Sequence, residues 1–543
     1  MNITGALRPT ENGPGRQVLL PIAKAIAAIM LPVAALGAPV VTGITNNYSF
    51  IPSGHSNSGV APSSIITIFG SGMANAATGP VVLESSAGPA GIPTSLHGAS
   101  ISVTVGGKTV TPAMYYAIPA QIAAVLPAAT PTGNGTLTVT YSGAASNAFP
   151  IQVVPSALGL DTYYGSGNGL ITATDATTGA LFNYGSSASP GQTITLWGTG
   201  LGADPQDSDT VFTTTPHAVN QSSVQVYFGG VPGTVTYAGS SGYPGLNQIN
   251  VVVPDPVGCN VSVTGVVGGV SSNFPTAPLA QGGGECSDPL YGITGSDLSM
   301  LSGQANVNSA AVFVARTVST NASGTQMTAS AATADFRHYP GTYGASGGLP
   351  SIGSCIVTEA LGAPTSTGLD AGTVSLMGPA GNYTLATVPL ATGLYEALLP
   401  AGATPAGGTF VFNWTGGSIV GAASVTVHLP NPFLTWTNQS ASTTVTRSQG
   451  IQLNWTGGLP GSFVIISGTS SPPGALSTSF LCYAPQSALQ FTVPAYITEL
   501  LPAGTGTLGL VNTTPYQRFT GPGLDSGAAW GSNGNGLSGV TYH

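Results

Sequence analysis

The sequence predicts an all-β protein: tandem β-sandwiches followed by a β-rich C-terminal region. Three observations carry that expectation. Charged residues make up only 5% of the 543 positions while hydrophobic residues make up 42%, and mean hydropathy is +0.30. Surface helices clothe their wet face with Lys, Glu and Arg, and there are too few here for even three such helices. Short segments alternate apolar with hydroxyl residues at a period of two. A long block of the chain also occurs twice.

The alternation is clear in Ile101-Ser102-Val103-Thr104-Val105, Thr136-Leu137-Thr138-Val139-Thr140, Val224-Gln225-Val226-Tyr227-Phe228 and Ser424-Val425-Thr426-Val427. One face of each is apolar, and Ser and Thr take the place of the usual surface charges. Gly106-Gly107 and Gly229-Gly230 follow two of these segments and supply the positive φ of two-residue hairpin turns. Interruption by the 78 Gly and 43 Pro keeps the segments short, which suits antiparallel sandwiches. It also argues against a membrane barrel with strands of about ten residues. Outside the leader, no segment combines a helical period with caps.

The repeat is the most informative feature. Ala61-Pro62-Ser63-Ser64-Ile65-Ile66-Thr67-Ile68-Phe69-Gly70-Ser71-Gly72-Met73 aligns without gaps on Ser189-Pro190-Gly191-Gln192-Thr193-Ile194-Thr195-Leu196-Trp197-Gly198-Thr199-Gly200-Leu201. Val103 through Gly107 matches Val226 through Gly230, and Gln121 through Pro127 matches Gln248 through Pro254. Ser146-Asn147-Ala148-Phe149-Pro150 matches Ser272-Asn273-Phe274-Pro275. In each copy Pro keeps the start of the first strand out of edge pairing, and Gly-x-Gly lets the chain turn where a Cβ would clash.

These blocks resemble the IPT/TIG-type immunoglobulin-like domain, in the paired form of many uncharacterised secreted acidobacterial proteins. The resemblance covers about residues 40–280. It implies two Ig-like sandwiches, 38–157 and 158–284, and leaves function open, because such modules serve as spacers, adhesion units and enzyme accessories. Gln281 to Cys286 reads as a linker. Beyond it, Asn413-Trp414-Thr415-Gly416-Gly417 recurs as Asn454-Trp455-Thr456-Gly457-Gly458. Two further β units are expected at 285–430 and 431–530, with a flexible tail at 531–543.

The N-terminus reads as an export signal, residues 1–37. Arg8, Arg16 and Lys24 precede the apolar run Ala25–Leu36, and Ala35-Leu36-Gly37 fits the small-x-small cleavage rule. Its removal takes away those three bases and Glu11, leaving five bases and sixteen acids, a net charge of −11. The remaining bases are scattered singly, so no stripe exists to neutralise phosphates, and nucleic acid is excluded as a partner. No membrane span is expected in the mature chain, which points to a secreted or cell-surface protein. The four cysteines contain no C-x-x-C pair. In an exported chain they favour disulfides, expected as Cys259 with Cys286 and Cys355 with Cys482.

Candidate chemistry is sparse, and no catalytic residue, cofactor or metal site is assigned. Gly344-Ala345-Ser346-Gly347-Gly348 fits the G-x-S-x-G string but lacks the strand-turn-helix frame of a nucleophile elbow. Asp204, Asp207 and Asp209 could offer oxygens to Ca²⁺, although their spacing is not that of an EF-hand. Trp414, Trp436 and Trp455 fit the core of sandwiches, with a glycan-stacking platform as the alternative. The expected role is non-enzymatic binding, adhesion or scaffolding toward an extracellular protein or polysaccharide. The alternative is a carbohydrate-binding or carbohydrate-processing protein with its site in residues 285–530.

Overall fold

The computed structural model describes residues 37–75, 91–213, 215–340, 349–358 and 366–543. The export-signal region up to Leu36 and the Gly344–Gly348 string lie outside the described residues. The chain is all-β.

In the first copy, Ile65–Ser71 lies between Val40–Asn46 and Gln121–Val125, with Ala113–Ile118 beyond. A second sheet places Gly133–Tyr141 between Ala99–Val105 and Phe149–Val153. The apolar residues of the alternating segments, among them Ile66, Ile68, Ile101, Val103, Leu137 and Val139, meet between the sheets in one core. Their hydroxyl neighbours lie on the opposite faces, as period two requires: Ser102 and Thr136 are exposed, while Thr67 is buried and bonds Asn47.

The second copy repeats this with Thr193–Thr199, Val224–Phe228, Val231–Ser240, Asn247–Val252, Gly258–Val267 and Thr276–Leu279. Even the irregularities recur: a register shift between Met114 and Tyr116 has its counterpart between Val235 and Tyr237. One difference has a local cause. In the first copy Thr111-Pro112 separates the strands Lys108–Val110 and Ala113–Ile118, whereas Val231–Ser240 runs unbroken from one sheet to the other. Proline has no N–H to give a ladder.

The repeated Ser-Asn pair acts as a clamp. The Asn147 side chain accepts from Val41 N–H (2.9 Å) and donates to Val41 C=O (3.1 Å). Asn273 does the same to Leu160, at 2.8 and 2.9 Å. The preceding serines also match: Ser146 Oγ accepts from Val139 N–H and Ser272 Oγ from Gly265 N–H, and each donates to its own Asn carbonyl. Each clamp pins the first strand of its copy with a side-chain amide that mimics a peptide.

The C-terminal half forms a 15-stranded sheet that wraps two cores. The hairpin Asn306–Thr320 with Gln326–Pro340 leads into strands over the first core, and Phe463–Ser470, Thr478–Pro485 and Gly504–Thr513 cover the second. The last strand, Leu524–Tyr542, runs through both. It is parallel to Asn306–Thr320 on one side and antiparallel to Gly504–Thr513 on the other. Leu524 and Ala529 enter the first core, and Leu537, Val540 and Tyr542 the second.

Two expectations are corrected here. Residues 531–543 are not a flexible tail: all but His543 belong to this central strand. The glycines that suggested flexibility allow close approach, since a Cβ at Gly531 would lie 2.1 Å from the His428 carbonyl oxygen. The two C-terminal cores change over between Leu429 and Leu434, and the last strand joins them in one sheet. A helix also exists, Gly295–Gly303, opened by a capping box of Thr294 and Asp297.

Cys259 is bonded to Cys286 and Cys355 to Cys482. The second bridge joins residues directly opposite on neighbouring strands. The units are also locked to one another. Tyr48, Ile65, Tyr115 and Leu246 form a core between the two copies. Buried Asp288 accepts from Cys259 N–H (2.8 Å) and Ser351 Oγ (2.9 Å), riveting the second copy to the C-terminal half.

The two clamps differ in exposure: Asn273 is 3% exposed, while Asn147 is on the surface. Truncation to alanine leaves Leu160 N–H and C=O without partners in a dry site but lets water replace Asn147. Asn273→Ala is therefore expected to cost about 2–4 kcal/mol in urea unfolding, and Asn147→Ala about 1 kcal/mol or less. Equal costs would contradict the clamp. Truncation after Trp530 removes Leu537, Val540 and Tyr542 from the second core and is expected to give an insoluble or partly unfolded chain. An unchanged melting temperature would show that the last strand is dispensable.

Candidate functional site

The acidic string lies in a loop of the second copy that closes onto the first. Asp204 accepts from His217 Nε2 at 2.7 Å, Asp207 from Ser240 Oγ at 2.8 Å, and Asp209 from Ala128 N–H at 2.8 Å. Asp204 N–H donates to Ser63 Oγ, and Thr210 C=O accepts from Ile92 N–H. Each carboxylate is thus committed to a different partner, and three of the five bonds cross between the copies. Among the described residues no group of three or more His, Cys, Asp and Glu could hold a metal ion. The Ca²⁺ reading of Asp204, Asp207 and Asp209 is therefore set aside for a structural clasp. Burial raises the pKa of Asp209, helped by the charges of Asp207 and Asp204 against the Ala128 hydrogen bond. Burial alone would lower the pKa of His217, but the hydrogen bond and charge of Asp204 outweigh it and raise the net value.

The three tryptophans do not form a glycan platform. Trp414, Trp436 and Trp455 are 3%, 5% and 1% exposed. Their indole N–H groups donate to Gly421 C=O, Asn438 Oδ1 and Gln486 C=O, each at 2.9 Å. Trp414 belongs to one C-terminal core and the other two to the second. The repeated Asn-Trp-Thr-Gly-Gly string marks a strand end whose Trp turns inward.

A run of half-buried aromatics that the sequence did not single out continues through Tyr516 onto the buried rings of Tyr291 and Phe463. Phe313 stacks on Trp530 (4.8 Å, 13°), and Trp530 meets Tyr516 at 4.7 Å. Trp530 has neighbours on both sides, which leaves little ring face for a sugar. Near it, Asp335 accepts from Arg337 Nε (2.6 Å), and His338 Nδ1 pairs with Asn308 Oδ1 (2.8 Å).

A groove of about 590 Å³ lies on the second copy. It runs over the paired strands Val224–Phe228 and Val231–Ser240, lined by Gln221, Val224, Gln225, Tyr227, Pro232 and Val235 among others. No charged side chain lines it. Tyr227 at its rim also stacks on Tyr496 of the C-terminal half (4.6 Å, 24°). Nothing in the composition marked this site, since it depends on tertiary packing.

No family model matches the chain, and no curated protein does. Several solved structures show partial likeness. The plexin A4 extracellular region is 16% identical at a TM-score of 0.16, covering 46% of this chain, which spans 19% of that one. A tetra-tandem repeat from the extending region of a large adhesion protein is 13% identical at 0.13, covering 92% of this chain and 100% of its own. The Bacteroides ovatus mixed-linkage glucan-utilisation protein SGBP-B, in complex with a heptasaccharide, is 10% identical at 0.17, covering 45% and 64%.

One ionisable group at the junction of the copies gives a pH signature. Asp161 is half-buried beside Tyr48, and burial lifts its carboxyl to about 7 against hydrogen bonds from Thr172 and Thr162. A carboxyl with a raised folded pKa binds more protons folded than unfolded, so its stability contribution falls as pH rises from about 4 to about 7. Asp161→Asn is expected to melt higher than the parent at pH 8 and level with it near pH 4. Parallel melting curves of the two proteins across this range would contradict the assignment.

Proposed function

We propose that the chain is exported and works outside the cytoplasm as a non-enzymatic binding, adhesion or scaffolding protein. In this reading its N-terminal half is a pair of IPT/TIG-type modules. The observation that carries the proposal is the interlocking of the units. A shared core, the acidic clasp, the Asp288 rivet and the through-running last strand join the sandwiches into a frame that holds its surfaces at fixed separations. The two disulfides support an oxidising location. The hydroxyl-clothed sheets support a surface that meets uncharged partners. The carbohydrate alternative loses the residues that suggested it, because Trp414, Trp436 and Trp455 face cores.

The test is a combined array of glycans and extracellular proteins probed with residues 38–543, alongside ester, glycoside and peptide substrates. Saturable capture by at least one array class, without substrate turnover, is the expected outcome. Turnover abolished by a single side-chain substitution would replace this reading with an enzymatic one.

A further inference from the structure

A turn of the first copy, residues 55–58, reaches both the second copy and the C-terminal half. It is closed by Ser58, whose N–H and Oγ both donate to His55 C=O. Asn57 Nδ2 donates to Ser271 C=O of the second copy at 3.2 Å. Toward the C-terminal half, Ser56 Oγ donates to the carbonyls of Glu499 and Leu500, each at 3.5 Å, and His55 Nδ1 faces Thr478 Oγ1 at 3.4 Å. These last three contacts are at the long limit of hydrogen bonding, so this tie is light. It is also dry, because His55 is 6% and Asn57 4% exposed. Two polar atoms of the turn have no hydrogen-bond partner there, His55 Nε2 and Asn57 Oδ1. Buried polar atoms without partners are rare, and here one belongs to a group that titrates near neutral pH.

We propose that this turn is an acid-operated latch: a proton on His55 releases it from the C-terminal half while the two copies stay joined. In the neutral ring one nitrogen faces Thr478 and the other is already bare. Protonation makes both nitrogens donors and adds a charge, in a site that supplies neither a second acceptor nor a counter-charge. The turn carries no other ionisable side chain, and neither do residues 268–273 or 476–478 that face it. From the helix Ala495–Thr498 and its end come Tyr496, whose phenol burial keeps neutral, and Glu499. Beside them lies Arg447, whose guanidinium donates to the carbonyls of Glu499 and Leu501. None of these charges sets the proton affinity of His55, which burial lowers from its ordinary value of 6.5. A His whose docked pKa is lowered binds its proton better once released. The latch is therefore closed above about pH 6.5 and opens as pH falls below it, by up to about tenfold in the docking equilibrium per pH unit. Asp161 and Asp209 respond in the opposite sense, since burial raises their carboxyls and acid favours the state in which they are buried. The core of Tyr48, Ile65, Tyr115 and Leu246 between the copies thus holds over the range in which the latch opens.

The experiment follows residues 38–543 from about pH 7.5 to about pH 5. Amide exchange, corrected for its intrinsic pH dependence, reads the docking, and histidine-ring NMR reads the titration, with His55→Gln identifying the His55 signal. The turn 55–58 and the facing segment 476–478 are expected to lose protection by up to about tenfold per pH unit below about 6.5, as the His55 ring takes up its proton. Strands Ile65–Ser71 and Thr193–Thr199 are expected to keep theirs. In His55→Gln, which cannot charge, protection of the turn is expected to stay level across the range. His55→Lys is expected to show the released pattern already at the upper pH. Protection of the turn that persists to the lower pH in the parent overturns the proposal, as does a loss that His55→Gln reproduces. Loss of protection in both copies' strands together with the turn would place the acid sensitivity at the copy junction and overturn it too.

Discussion

Backbone amide and carbonyl groups that leave water must find partners inside the protein, and this chain has few charged side chains to help. Charged residues are 5% of the sequence. Ladders and the amides and hydroxyls of Asn, Ser and Thr therefore carry that requirement. The last strand is the largest case. From Ser526 to Leu537 it is paired on one side with Ser309–Thr320, and from Ser532 to Tyr542 it is paired on the other with Thr513–Gly504. Wherever both ladders run, it exposes no edge, so the C-terminal half is completed only when the end of the chain is in place.

The same requirement explains the buried asparagines. Asn46 donates to Ala157 C=O and Thr199 C=O and accepts from Tyr48 and Ser49, tying the first copy to the second. Asn512 bridges Ser462, Phe463 and Leu459. A single such bond contributes only about 1 kcal/mol net, but an abandoned buried partner costs about 1–3 kcal/mol. These residues therefore act more on specificity than on total stability: an arrangement that did not engage them would leave their buried backbone partners unpaired.

Much of the fold was legible in the sequence because period-two alternation and internal repetition are local signals. Ile101–Val105, Val224–Phe228 and Ser424–Val427 all lie in strands. The errors have physical causes. Gly-Ser-Asn-Gly-Asn-Gly near the C-terminus has the composition of a linker, yet it is the middle of a strand paired on both sides, with Gly531 pressed against the His428 carbonyl, and such pairing is a tertiary fact. The helix Gly295–Gly303 was missed although Thr294 and Asp297 spelled its capping box, because its apolar face is narrow. Of the candidate site little was readable. Composition could not tell an inward Trp from an outward one, and the acidic loop showed charge without showing that each carboxylate has its own partner.

The comparison of the two copies also shows where a duplicated module is free to diverge. The clamp residues Ser146-Asn147 and Ser272-Asn273 repeat with the same bonds, and so does the register shift, because each is fixed by ladders on both sides. The connection before the Val-x-x-Gly-Gly strand lies outside the ladders that the copies share. It folds back as a short strand in one copy and coils as a 3-10 turn in the other. Divergence at this point leaves both cores intact while changing the surface beside them. Stability resides in the parts the copies share, and recognition has room in the parts they do not.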